Sequence, residues 1–272
     1  MRKELSKLFL EKVYLKDGLS TWAIEKKYGF SRSTVYNALK KFGIQPRTIA
    51  QSHIKYARAD FSGDLEEKAY MIGFAIGDLR VRNHNKERSE TISIACGSTK
   101  KAQIDLIENL FKKYGRVWRG EVSMKGVINV EAYVNKSFSF LLPDMREYIW
   151  CSKKEDYFFA FLAGFTDAEG SFYISNGKAF LAWGNYDKDV LTFIHSSLVY
   201  IGVEVPKIHC DKLKGTYGSH GYIRNGTYCH ISICKKIQLM NIIQKLKPYL
   251  RHKDKLKRLA VIEKNIKLRN NK

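Results

Sequence analysis

The stretch LAGFTDAE at residues 162–169 decides the fold, because an earlier stretch, MIGFAIGD at 71–78, has the same design. Each stretch closes an apolar segment that predicts a helix, over 65–78 and over 155–169. Each also carries small residues four positions apart, which are Gly73 and Gly77, then Gly164 and Ala168. Residues four apart share a helix face, and small side chains there let two helix backbones approach closely. The sequence therefore predicts an internal repeat whose two helices pack face to face.

Each predicted helix ends in a carboxylate, Asp78 in the first and Glu169 in the second. If the helices pack through their small residues, the two acids meet at one end. Adjacent carboxylates repel, and one of them takes up a proton unless a cation lies between them. A hard divalent ion with oxygen ligands suits that place, and such an ion can promote an in-line displacement at phosphorus. The alternative is two solvated acids at helix ends, which is disfavoured because the helix macrodipole opposes an acid there.

The charge of the chain indicates a polyanionic partner. Lys and Arg number 48 against 27 Asp and Glu, which makes a formal net charge of +21. Solubility needs far less, and an excess of this size is costly by self-repulsion unless a polyanion relieves it. Double-stranded DNA is the leading candidate, ahead of an anionic membrane surface or plain surface charge. The chain has no apolar run of membrane-spanning length and no signal core, so we expect an intracellular, cytoplasmic protein without a membrane partner.

The cysteines and histidines carry no recognisable metal or disulfide pattern. The cysteine count is five, an odd number, and no pair has CxxC spacing. This argues against a disulfide framework and against a cysteine-rich zinc site. We therefore expect all five as ordinary thiols in a reducing compartment.

Residues 1–45 predict a three-helix unit of the helix-turn-helix type, in which Ser20 and Ser31 cap the second and third helices. The last helix of that motif enters the major groove. Its outward residues are the candidate base contacts, where Arg suits guanine and Asn suits adenine; they are Arg32, Ser33, Tyr36, Asn37 and Lys40. A plain helical bundle that binds protein is the alternative. Residues 46–65 predict a linker, in which Arg47 is either a phosphate contact or solvated.

At the repeated stretches the chain resembles the LAGLIDADG homing endonucleases. The second copy is identical to the motif at Leu162, Ala163, Gly164, Asp167, Ala168 and Gly170, with Thr166 in place of isoleucine. The first copy is looser: it keeps Gly73 and Asp78, has Gly77 where the motif has alanine, and departs at Ile76 and Leu79. The resemblance covers roughly residues 65–265.

This resemblance implies an α+β fold of two pseudo-symmetric αββαββα subdomains, over 66–150 and 151–272, forming a saddle that binds DNA. The second subdomain ends in a basic helix, expected on the outer edge near the DNA backbone. The implied protein is a monomer with an internal pseudo-two-fold axis. It uses Mg²⁺ or Mn²⁺ to hydrolyse both strands of a long double-stranded target.

The resemblance also implies a set of site residues. Strand alternation assigns to the DNA side Arg80, Arg82, Ser171, Tyr173 and Ser175, opposite the core residues Val81, Phe172 and Ile174. Basic residues near the scissile phosphates correspond to Lys136 and to Lys235 or Lys236. Asn185 is expected to order water near the metal. Its counterpart in the first half is expected to be Gly97, so the two half-sites are expected to differ.

Two other functions are compatible with the same scaffold. An RNA-splicing maturase would bind intron RNA, but a helix-turn-helix unit favours DNA because the major groove of duplex RNA is too narrow for a helix. A non-cutting DNA-binding regulator is the other, and it would gain nothing from two carboxylates held near phosphates.

Overall fold

The computed structural model describes residues 5–52, 54, 56–84, 89–212, 214–217, 223 and 225–269. The chain divides into two compact units, Met1–Ala57 with Glu87–Glu90 and Arg58–Lys86 with Thr91–Lys272. The division at Ala57 falls inside the predicted linker.

The first unit is helical and has its own small core. Its helices are α1 (Lys7–Leu10), which continues as a π-helical segment (Glu11–Lys16), α2 (Thr21–Tyr28), α3 (Arg32–Lys41) and α4 (Ile49–Ser52). The side chain of Ser20 accepts from Ala23 N at 3.1 Å and that of Ser31 from Thr34 N at 3.2 Å, so both predicted caps form. Gly29 has φ 79°, which suits glycine in the turn between α2 and α3. The core consists of Leu10, Val13, Tyr14, Ile24, Val35, Leu39 and Ile44.

The second unit contains two copies of one αββαββ pattern. The first copy comprises α5 (Leu65–Asp78), β1 (Arg80–Asn83), β2 (Thr91–Ser98), α6 (Lys101–Phe111), β3 (Arg116–Val122) and β4 (Ile128–Asn135). The second comprises α7 (Glu155–Glu169), β5 (Ser171–Ser175), β6 (Lys178–Asn185), α8 (Lys188–Tyr200), β7 (His209–Lys212) and β8 (Tyr228–Ile233). Short 3₁₀ helices follow β4, at Lys136–Leu141, Pro143–Met145 and Ile149–Lys153, whereas β8 is followed by α9 (Lys236–Leu246), a 3₁₀ turn (Lys247–Tyr249) and α10 (Lys253–Leu268).

Each copy builds a four-stranded antiparallel sheet, in the order β1-β2-β4-β3 and β5-β6-β8-β7. The predicted α+β class is therefore confirmed. In each copy the first strand begins two residues after the acid, and its first residue pairs with an alanine: Arg80 with Ala95 and Ser171 with Ala182. These equivalent pairs define which residues of the two sheets correspond.

Helices α5 and α7 pack through their glycines. A Cβ built on Gly73 would overlap the carbonyl oxygen of Phe161 and lie 2.9 Å from Phe165 N. A Cβ on Gly164 would overlap the carbonyl oxygen of Tyr70 and lie 2.8 Å from Phe74 N. Each of these glycines therefore lies against the main chain of the opposite helix, as the repeated small residues predicted.

The expectation that all five cysteines are free is wrong. Cys210 on β7 and Cys229 on β8 are direct partners in the antiparallel register, with Cα atoms 4.0 Å apart, and they form a disulfide. The separation of 19 residues along the chain gives no sign of this pairing, because it depends on how β7 aligns with β8. Cys96, Cys151 and Cys234 are free thiols.

The basic C-terminal helix lies elsewhere than expected. Helix α10 packs against β5 and β6 and buries Leu259, Ile262 and Ile266. Its first turn lies beside the acids at the ends of α5 and α7, because Lys255 lines a cavity together with Asp78. The expectation of an outer-edge position is therefore wrong. Within the part of the chain that the structure describes, no helix combines the length and the apolar character needed to cross a membrane.

Candidate active site

Asp78 and Glu169 are the last residues of α5 and α7, and the helix packing brings them together. A Cβ on Gly77 would lie 2.5 Å from Cβ of Ala168 and 2.8 Å from Cγ of Glu169, so the ends of the two helices are in contact. Burial and then the nearby negative charge of Asp78 raise the pKa of Glu169 to about 7, while the charge of Lys255 opposes both. The two carboxylates therefore share one electrostatic environment, as the sequence predicted.

Asp78 has a partner that the sequence did not reveal. Gln103, in the first turn of α6, is 5% exposed and donates its side-chain amide to Oδ2 of Asp78 at 2.6 Å. Burial raises the pKa of Asp78, whereas this hydrogen bond and the charges of Lys255 and Lys100 lower it. Gln103 thus favours the ionised carboxylate and fixes its orientation. A glutamine on the inner face of a helix carries no local signal for such a role.

Glu169 has different neighbours. The amide of Asn185, at the end of β6, lies 3.4 Å from Oε1 of Glu169, so the predicted polar residue does lie beside the acid. Tyr228 is also near, since the charge of Glu169 contributes to the raised pKa of its phenol, after burial. The hydroxyl of Tyr228 lies over Gly184, where a Cβ would overlap it.

The expected counterpart of Asn185 is wrong by one residue. Because Ala95 corresponds to Ala182, three positions further along each strand lead to Ser98 and Asn185. Gly97 instead corresponds to Gly184. The predicted inequality of the two halves remains, since the first half carries Ser98 and the buried Gln103, and the second carries Asn185.

Lys255 is the basic residue that the fold places beside the acids. It is partly buried, donates to the carbonyl oxygen of Gly170, and lines a cavity with Asp78, Lys100 and Gln103. Burial and then the charge of Lys100 lower its pKa, while Asp167, Asp78 and Glu169 raise it. It thus brings a positive charge to the place where Asp167, Asp78 and Glu169 lie close together. Sequence reasoning missed it because 86 positions separate it from Glu169 (255 − 169).

The lysines named from the sequence lie at other places. Lys136 is exposed at the start of the 3₁₀ helix Lys136–Leu141. Lys235 is exposed and forms an ion pair with Glu204, and Lys236 is the first residue of α9. The lysines that line the cavity beside Asp78 and Gln103 are instead Lys100 and Lys255. The roles predicted for Lys136, Lys235 and Lys236 remain predictions.

The strand residues predicted to face DNA are exposed. They are Arg80, Arg82, Ser171, Tyr173 and Ser175, and the intervening Val81 and Phe172 are buried. Ile174 was expected in the core, and this was wrong, because 43% of it is exposed. It lies one residue from the end of β5, next to the turn at Asn176 and Gly177.

In the first unit, the candidate reading residues all lie exposed on α3; they are Arg32, Ser33, Tyr36, Asn37 and Lys40. Arg32 pairs with Glu25 at 3.1 Å, and Lys40 lies over the ring of Tyr36. Arg47 is not simply solvated, because it makes contacts within the first unit, and its predicted phosphate contact remains a prediction. Its guanidinium stacks on Tyr14 and donates to the carbonyl oxygens of Tyr14, Gly18 and Leu19. Arg47 therefore holds the segment after α3 against the π-helical segment and the residues that follow it.

No protein-family model matches the chain, and no curated protein matches it. Among solved structures, it is similar to mesophilic variants of the homing endonuclease I-DmoI, at 17% identity over 67% of this chain and 95% of that chain, with a TM-score of 0.47. It is also similar to the homing endonuclease I-WcaI bound to its DNA recognition sequence, at 16% identity over 71% of this chain and 86% of that chain, with a TM-score of 0.47. The N-terminal LAGLIDADG domain of DUF199/WhiA is similar at 16% identity over 68% of this chain and 84% of that chain, with a TM-score of 0.43. Similarities at this level say nothing about activity.

The donor set at the helix ends fits a hard divalent cation. Asp78 and Glu169 offer carboxylate oxygens, the ligands that Mg²⁺ and Mn²⁺ prefer. Burial and the charge of Asp78 raise the pKa of Glu169, so a cation beside the pair would favour its ionised form. Among the described residues, no cluster of three or more His, Cys, Asp and Glu side chains could bind a metal. The fit therefore rests on this pair, with the remaining ligands left to phosphate oxygens and water.

Proposed function

We propose that this chain is a homing endonuclease of the LAGLIDADG type, which hydrolyses phosphodiester bonds in both strands of a long double-stranded DNA target. The observation that carries the proposal is the meeting of Asp78 and Glu169 at the ends of two backbone-packed helices. Two partly buried acids side by side are costly unless a cation lies between them, and a chain of net charge +21 suits a polyanionic partner. A single chain supplies both acids, so we propose that it acts as a monomer.

The side chains around the acids would have different roles in such a reaction. Asp78 and Glu169 would hold Mg²⁺ or Mn²⁺, which when bound supplies positive charge to the phosphate and makes water a better nucleophile. The hydrogen bond from Gln103 favours the ionised form of the Asp78 carboxylate and fixes its orientation. Lys255 places a second positive charge beside the acids, where negative charge accumulates on phosphoryl oxygens during the displacement. Asn185 has an amide beside Glu169 and is suited to orient water there.

We propose that DNA recognition uses both units. The exposed residues of β1 and β5 start close to the acids, since Arg80 and Ser171 each follow an acid by two residues. DNA that lies on these strands would therefore pass the acid pair. In the first unit, α3 presents Arg32 and Asn37, the residue types that form bidentate pairs with guanine and adenine. A helix of this kind would lengthen the recognised site by contacts in the major groove.

The test of the function uses the full-length protein and a genomic or randomised DNA library. Fragments cut in Mg²⁺ are sequenced to define the target, and Asp78→Asn and Glu169→Gln are then assayed on it. We expect both variants to lose cleavage by at least about a thousandfold while binding in Ca²⁺ persists, because the lost oxygens serve the reaction. Asp144→Asn, at an exposed acid, is the matched control.

Cleavage that survives in both Asp78→Asn and Glu169→Gln would overturn the assignment. DNA binding by the wild-type protein without any nicking, together with repression of a reporter, would indicate a regulator instead. Intron splicing that does not depend on either acid would indicate a maturase.

A further inference from the structure

The exposed faces of the two sheets differ in charge at corresponding positions. Arg82 lies four residues after Asp78, and Tyr173 lies four residues after Glu169, so the two occupy the same place in β1 and β5. Across the sheets, Glu131 pairs with Ala95, and Ser232 pairs with Ala182. Since these alanines correspond to each other, Glu131 and Ser232 also correspond. The first sheet thus carries an Arg–Glu pair where the second carries a Tyr–Ser pair.

Both pairs are in contact. Nη2 of Arg82 lies 3.4 Å from Oε1 of Glu131, and the hydroxyl of Tyr173 lies 3.5 Å from Oγ of Ser232. In each sheet a small alanine in the intervening strand leaves room for the side chains to meet. The two repeats therefore make a contact at the same position, with charged groups (Arg82 and Glu131) in the first repeat and neutral groups (Tyr173 and Ser232) in the second.

Glu131 is an unusual residue for a face that would meet phosphates. It accepts from the hydroxyls of Ser93 and Tyr133, the latter at 2.9 Å, as well as from Arg82. Burial raises its pKa, but these three donors outweigh burial and hold the pKa below its ordinary value. The carboxylate is thus ionised and fixed, and its hydrogen bonds are directed into the protein. Its effect on the surface is to hold the guanidinium of Arg82, which remains 54% exposed.

A guanidinium held in this way is suited to guanine. Arginine carries five N–H groups in a rigid fork. The contact with Glu131 needs one of them, and a bidentate pair with O6 and N7 of guanine needs two, so both fit on one side chain. Holding the fork in place before binding reduces the side-chain entropy lost on binding. A phosphate contact would need neither the orientation nor the adjacent negative charge of Glu131, which repels phosphate.

Tyr173 cannot make the same contact. Its ring stacks on Phe180 with centroids 5.0 Å apart and planes 2° apart, and its hydroxyl is turned toward Ser232. A phenol offers a single O–H donor and no fork for O6 and N7.

We propose that Arg82, held by Glu131, reads a guanine in the half of the target that faces the first sheet, and that the matching position of the other half lacks a guanine preference. The inference rests on the proposed function for its setting, DNA across the two sheets. It deepens that function by assigning one base to one residue and by making the target non-palindromic at that position.

The test compares two selections from one randomised DNA library, bound fragments in Ca²⁺ and cut fragments in Mg²⁺. For the wild-type protein we expect guanine at one position of one half-site only. Arg82→Gln should reduce the preference for that guanine by between about fivefold and a hundredfold, the range for losing one bidentate pair. Glu131→Gln keeps the charge of Arg82 and should weaken the preference severalfold with little change in overall affinity.

Two further variants sharpen the comparison. The double variant Arg82→Tyr with Glu131→Ser copies the second sheet and should make the two half-sites alike at this position. Arg119→Gln removes one positive charge from the same sheet, at a side chain directed to Asp105 and Glu108 of α6, and should leave the base profile unchanged.

The inference is overturned if Arg82→Gln weakens binding to every base equally and lowers the salt dependence by about one ion, since that is the behaviour of a phosphate contact. It is also overturned if the bound fragments show no guanine that depends on Arg82. Failure of the proposed function looks different, because bound fragments then show a consensus while no cut fragments are recovered.

Discussion

Asp167 accepts the main-chain N–H of Arg251 at 2.7 Å, although 84 residues separate them in the chain. The same oxygen, Oδ2, also accepts from His252 N at 3.1 Å and from the hydroxyl of Tyr70 at 2.7 Å. One buried carboxylate on α7 thereby ties together α5 and the segment that leads into α10. Lys255 follows this anchored segment by three residues, so the bonds of Asp167 help to place a lysine beside the acids.

Replacing Asp167 should therefore affect both stability and cleavage. We expect Asp167→Ala to lower the free energy of unfolding by about 3 kcal/mol, because buried donors lose their acceptor. Cleavage should fall as well, since Lys255 loses its anchored position. Urea unfolding and a cleavage assay measure the two effects, with the exposed Asp144→Ala as control. Equal stability of the two variants would show that Asp167 is not an anchor.

The glycines between α5 and α7 should not tolerate even a methyl group. We expect Gly73→Ala and Gly164→Ala each to cost about 3 kcal/mol or more, because the added carbon meets main-chain atoms, which cannot rotate away. Gly97→Ala is the matched control, since its Cβ would meet mainly the side chain of Asn129, which can move. Thermal unfolding distinguishes them. Wild-type stability of Gly73→Ala would contradict the close approach of the helices.

Lys255 should matter for the rate of cleavage more than for binding. We expect Lys255→Met to slow cleavage by about a hundredfold, the effect of losing one group that stabilises transition-state charge. Affinity for the target in Ca²⁺ should change by only severalfold. Lys257→Met removes the same charge from an exposed position on the same helix and serves as control. Similar rates for the two variants would remove Lys255 from the proposed site.

Glu169 should make the stability of the metal-free protein depend on pH. Its pKa in the folded protein is about 7, above its ordinary value of 4.5. A carboxyl with a raised pKa favours folding when it is protonated, so its contribution is fully present below pH 4.5 and is lost as the pH rises through about 7. In EDTA at constant ionic strength, we expect the wild-type protein to lose more stability from pH 5 to 8 than Glu169→Gln. Parallel curves for the two proteins, measured by thermal unfolding, would show that Glu169 is not destabilised by burial and Asp78.

Much of the fold was predictable because it depends on local patterns. The bounds of α5 and α7, the serine caps of α2 and α3, and the exposed alternation in β1 follow from periodicity and from residues next to one another. The pair Asp78 and Glu169 was predictable for a further reason, which is that the repeat places equivalent residues on equivalent faces.

Other parts of the site required the fold. Gln103 reaches Asp78 only because the fold brings the first turn of α6 to the end of α5, and the disulfide of Cys210 and Cys229 depends on the alignment of two strands. Asn185 corresponds to Ser98 and not to Gly97, because the hairpin of β1 and β2 is longer than that of β5 and β6. Only the strand register shows this difference in length. Spacing along the chain encodes none of these alignments.

The sequence by itself determined that two helices pack through small residues and bring two acids together, since glycine spacing and helix geometry leave few other arrangements. Only the tertiary structure decided which groups surround those acids. Lys255 and Gln103 lie beside Asp78 because segments that are distant along the chain converge there. Such convergence depends on the free energy of the whole packed chain, and no single segment of the sequence carries it.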